Sequence, residues 1–145
     1  MAREDRIQQW MNIAEEDFNV AEYLVKGGKW LYAVFECHQT LEKMLKAYWC
    51  ATREDEPPYT HSHIKLLDGC ELTKELTKEQ IRFIEILTPM YIAARYPEHK
   101  RKMASSLNEQ SSQYILENTQ KMKQWIHERL SANRKPLISQ ENTNE

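Results

Sequence analysis

Trp30-Leu-Tyr-Ala-Val-Phe-Glu-Cys-His-Gln-Thr-Leu-Glu-Lys-Met-Leu-Lys-Ala-Tyr-Trp-Cys-Ala51 decides the fold. Val34, Cys37, Leu41, Leu45 and Tyr48 recur at steps of three and four, the period of a helix with one buried stripe. At about 100° per residue, Leu31, Phe35, His38, Glu42 and Trp49 fall together along one flank of that stripe. The apolar surface is therefore wider than a single core contact requires. A second helix contact, including one from another subunit, would cover the excess, and we expect a homodimer.

Upstream, a helix is expected from Arg3 to Lys26. Ile7, Trp10, Met11, Ala14, Phe18, Ala21 and Val25 form its stripe. Gly27-Gly28 stops it, because glycine enters the left-handed conformation without strain. The short link to Trp30 makes the two helices antiparallel neighbours. Asp17 lies near the edge of the first stripe. A carboxylate there needs a cation or donor, such as Arg95 or a tyrosine hydroxyl.

Downstream, residues 52–62 read as a loop broken by Pro57-Pro58. Thr60 or Ser62 is placed to cap a short helix over His63–Cys70. Thr77-Lys-Glu-Gln80 is a capping box that opens a third long helix, with Ile84, Leu87, Tyr91 and Ala94 as its stripe. Pro89 lies inside that pattern and should kink the helix or cost it a bond, and Tyr96-Pro97 ends it. Residues 98–104 read as a basic connector. Ser106-Leu-Asn-Glu109 reads as a second capping box, opening a fourth helix to about Leu130. Residues 133–145 lack periodicity and are expected to form a disordered tail. The expected architecture is an all-α, up-and-down four-helix bundle over residues 1–132, with one short extra helix.

Composition narrows the function. The chain has 145 residues and a net charge of −2, so a nucleic-acid role would need a local basic patch rather than bulk charge. With only 3 Gly, no Gly-rich phosphate loop is present. Mean hydropathy is −0.78 and no apolar run spans a bilayer, so we expect no membrane association. The charged N-terminus has no apolar signal segment, and Cys37, Cys50 and Cys70 fit a reducing compartment. A cytoplasmic location is expected.

Arg95 to Lys102 concentrates chemistry. Arg95, His99, Lys100, Arg101 and Lys102 gather cations just before a capped helix, an arrangement that suits phosphate. Tyr96 offers a face for a base. The same run is equally an ordinary solvated surface, and Arg95 equally a partner for Asp17 or Glu42. His61-Ser62-His63 lacks a third and fourth metal ligand. No metal or other cofactor is expected. His61 is better placed to fix its loop onto the second helix by a hydrogen bond.

His38-Gln39 and Glu42-Lys43-x-Leu-Lys46-Ala47 on the second helix, Thr60-His61-Ser62 in the loop, and Tyr91-Ile-Ala-Ala-Arg95-Tyr96-Pro97 form an ordered set. With Trp10, Ala14, Asp17 and Ala21 on the first helix, this set resembles the HEPN domain family over about residues 5–130. The resemblance implies a dimeric helical bundle whose polar groove binds nucleotide or RNA, with no preference for DNA. It also implies a minimal nucleotidyltransferase as companion, in some cases as a toxin–antitoxin pair. The implied groove is lined by Arg95, Tyr96, His99 and Lys100, with His38, Lys43 and His61 nearby. Ribonucleases of the family carry an Arg, four to six residues, then a His. Here three residues separate Arg95 from His99, and Arg-Tyr-Pro looks like the nucleotide-binding branch. A metal-independent endoribonuclease using Arg95 and His99 is the alternative reading.

Overall fold

The computed structural model describes the backbone of residues 2–143 and the side chains of residues 2–132. Its helices are α1 (Arg3–Lys26), α2 (Trp30–Thr52), α3 (His63–Gly69), α4 (Lys78–Ala93), α5 (Pro97–Ser106) and α6 (Glu109–Thr143), with a 3₁₀ turn at Thr73–Glu75. No strand occurs among the described residues. The backbone of α6 runs as helix to Thr143, past the end expected near Leu130 and through most of the stretch expected as a disordered tail; side chains after residue 132 and residues 144–145 lie outside the described residues.

α2 is the centre of the bundle. Sixteen of its 23 residues are buried, including Ala33, Val34, Leu41, Leu45 and Ala47. α1, α4 and α6 pack around it, and α1 and α6 also touch. The α1–α2 link closes as the glycines dictate. Lys29 N–H bonds the Leu24 carbonyl at 2.9 Å and Gly28 N–H that of Val25 at 3.1 Å, with Gly28 at φ +73°. This is the left-handed helix ending that glycine favours.

Several open local expectations are settled and others corrected. The wide flank of α2 is covered from within the chain. Leu31 and Trp49 are buried, and Phe35 stacks on Tyr91 with centroids 5.8 Å apart. The Trp49 ring lies so close to Gly69 on α3 that an added Cβ would come within 2.2 Å of it. The basic connector is a helix, α5, because Pro97 sits at its first position, where a missing N–H costs nothing. α4 runs through Pro89 and ends at Ala93, before Tyr96. α6 is capped by Asn108 and Ser111, each side chain bonding the other's backbone N–H at 2.8 and 2.9 Å. Ser106 instead donates to the Met103 carbonyl.

Candidate functional site

α2, the loop before α3, and the C-terminal end of α4 meet around Glu42. Its carboxylate is fully buried. Lys43 Nζ donates to Oε2 at 2.9 Å and Lys46 Nζ at 3.1 Å, while His61 Nδ1 lies 2.8 Å from Oε1. Burial alone would push this carboxyl up. Hydrogen bonds from Lys43 and His61, and the charges of both lysines, outweigh burial and hold it at about 2. Helical spacing explains the assembly: Lys46 is one turn beyond Glu42. Ser62 caps α3 through Lys65 N–H, and Thr60 Oγ1 accepts from Ser62 N–H, which fixes the loop that delivers His61.

On this ionic base rests a stack of rings. His61 stacks on Tyr91 with centroids 4.3 Å apart, and the Arg95 guanidinium lies 4.5 Å from the Tyr91 centroid. The His61 side chain is 48% exposed and Arg95 is exposed, so the stack opens to solvent. Arg95 follows Tyr91 by four residues, and the turn that ends α4 leaves it above that ring. Neither Asp17 nor Glu42 is ion-paired with Arg95. Burial pushes the half-buried Asp17 carboxyl up, and the nearby Lys43 charge opposes this.

Behind the stack, His38 and His63 are buried and face each other at 4.0 Å, with His38 also 5.2 Å from Tyr91. His63 Nε2 donates to the His38 carbonyl at 2.9 Å. The Nδ1 atoms of both rings are buried without a hydrogen-bond partner. Burial lowers His38 to about 2 and His63 to about 4, so both rings are neutral at pH 7.

The seven residues expected at the site thus divide. His61 and Arg95 share the stack, Lys43 is held on Glu42, and His38 is buried behind them. Tyr96 and His99 lie at the start of α5, lining a hollow of about 460 Å³ with Ile92 and Pro97. Lys100 is turned onto the Tyr32 ring at 4.8 Å. Pro97 starts a new helix between Arg95 and His99, so the two belong to different elements. Tyr91, the ring that organises the stack, was read as a stripe residue and as the first residue of the motif ending in Arg95-Tyr96-Pro97, and not as part of the site. Its four-residue spacing from Arg95 was the available signal.

The fold is similar to that of the crystal structure of TT1696 from Thermus thermophilus, with a TM-score of 0.72 at 21% identity. That match covers 85% of this chain and 97% of the other. No curated protein matches the sequence. No helix among the described residues is long and apolar enough to cross a membrane. The HEPN domain model matches residues 7–130, which run from the first turns of α1 well into α6 and include the whole ring stack, and the chain belongs to the HEPN domain family.

Proposed function

We propose that the protein binds a nucleotide or the end of a single-stranded RNA on the His61–Tyr91–Arg95 stack. The carrying observation is the exposed guanidinium held 4.5 Å from the centroid of the Tyr91 ring. A guanidinium in that position offers a planar fork to phosphate, and the adjoining rings offer faces to a base. The Glu42 cluster acts as a foundation that fixes His61, and His38 supports Tyr91 from within the core. Tyr96, His99 and Lys100 extend the surface along α5. Lys43 supplies positive charge near the stack.

Family membership supports the rest of the reading, a homodimer with a minimal nucleotidyltransferase as companion in a toxin–antitoxin pair, and the three free cysteines fit a cytoplasmic location. The test is an equilibrium titration with a fluorescent adenine nucleotide and a labelled single-stranded RNA, followed by gel analysis of the RNA with and without EDTA. Saturable binding with intact RNA is the expected result. Absence of binding for both probes up to about 1 mM, an affinity worth only ~4 kcal/mol, would overturn it. Cleavage that persists in EDTA and disappears in His99→Ala would replace binding with the ribonuclease reading.

A further inference from the structure

Away from the ring stack, α4 and α6 each pack chiefly on α2, and a groove of about 770 Å³ stays open between them. Phe83 and Trp125 line it, together with the ring of Tyr114, which is 54% exposed. Glu79 stands on the α4 bank, and Glu117 and Glu128 on the α6 bank. Among the described residues none of these three carboxylates is ion-paired. Glu117 and Glu128 accept only from the amides of Gln113 and Gln124, at 3.2 and 3.4 Å. Among the described residues, Lys121 is the one cation in the lining. From Tyr114 to Glu128 the groove follows roughly 21 Å of helix, at about 1.5 Å per residue.

We propose that this groove docks a basic amphipathic helix of a partner protein. Apolar residues one turn apart on that helix would seat against Phe83, Tyr114 and Trp125, and flanking Lys or Arg would pair with Glu79, Glu117 and Glu128. Charge complementarity selects this occupant. The acidic banks repel nucleic acid and leave three carboxylates for cations to meet. A helix seated there would add a further member to the layer around α2. The basic α5 of a second copy is poorly suited, since Met103 is its only large aliphatic residue and it lacks an apolar stripe. This inference does not depend on the nucleotide reading.

The probe is a fluorescein-labelled helical peptide of about 16 residues, with Leu at steps of three and four and Lys on its flanks. Its twin carries Glu in place of Lys. Anisotropy with the full chain should show micromolar binding of the basic peptide and at least tenfold weaker binding of the twin. The triple variant Glu79→Gln, Glu117→Gln, Glu128→Gln should also lose about tenfold. Tyr114→Ala should lose several-fold through the apolar seat. These four residues are exposed, so urea melts of the variants should match wild type. Equal affinity for both peptides, absence of binding up to about 1 mM, or an unchanged affinity in Tyr114→Ala overturns the proposal. So does tighter peptide binding after removal of residues 133–145, which would make the chain's own end the occupant. Peptide binding that competes with self-association would make it a second copy.

Discussion

Acidification should weaken the fold through the buried His38–His63 pair. Unfolded, each ring titrates near 6.5, whereas the folded chain holds them at about 2 and about 4. Between those values the unfolded chain binds protons that the folded chain refuses. The stabilisation is therefore complete above pH ~6.5 and is lost as the pH falls, to about pH 4 for His63 and further for His38. At pH 5, 1.5 units below the unfolded value, each ring costs about 2 kcal/mol at ~1.4 kcal/mol per unit, or about 4 kcal/mol together. That is a large share of the ~5–15 kcal/mol holding a typical domain. Asp17 and Glu36, whose carboxyls burial pushes up, act with the opposite sign. A paired comparison removes their contribution. His38→Phe keeps a ring against His63 and Tyr91, leaves the His38 carbonyl to accept from His63, and deletes one proton site. Urea melts at pH 8, 6 and 5 should show a loss of about 4 kcal/mol in wild type and about half of that in the variant. Identical losses in the two proteins, or no acid loss in wild type above pH 5, would refute the assignment of the linkage to this pair.

Glu42→Ala removes the anion that buried Lys46, half-buried Lys43 and His61 share, and stranding those cations should cost about 3–5 kcal/mol in the same melts. The Glu42 contribution itself should be present above pH ~4.5 and fade as the pH falls toward 2, overlapping only the acid end of the histidine window. Gly69→Ala should destabilise by about 1–3 kcal/mol, because its Cβ would overlap the Trp49 ring; thermal melting with near-UV circular dichroism reads both the loss and the ring displacement. Truncation after Ala132 should leave the melting midpoint unchanged, since the stretch beyond it has no apolar stripe to repay ordering.

The bundle was legible where local chemistry is strong. The end of α1 and the start of α2 follow from Gly27-Gly28, and Thr77-Lys-Glu-Gln80 forms the capping box that its sequence encodes, with Gln80 Oε1 accepting from Thr77 N–H at 2.9 Å. α5 escaped because none of its residues is buried, so it has no stripe, and because Pro97 starts a helix as readily as it ends one. Two overlapping capping patterns precede α6, and only three-dimensional geometry selects Asn108 over Ser106. The wide flank of α2 was visible, but its cover was not. Which of α3, α4 or another subunit meets Leu31, Phe35 and Trp49 is decided by tertiary packing, which residue spacing on α2 does not encode. For the same reason Arg95 and His61 were each identifiable, whereas the Tyr91 ring that joins them required α4 and the loop before α3 to be set side by side.

The most direct test of the proposed site is Arg95→Ala, measured by nucleotide and RNA titration beside a urea melt. Arg95 is exposed and rests on Tyr91 without an ion pair, so its removal should leave the melt in place. Losing a charge-assisted bond to phosphate should cost about 1.5–3 kcal/mol of binding, roughly ten- to a hundred-fold in Kd. Unchanged affinity in a protein that melts like wild type would contradict the account. So would a large loss of stability with binding intact, since Arg95 would then serve the fold and not the ligand.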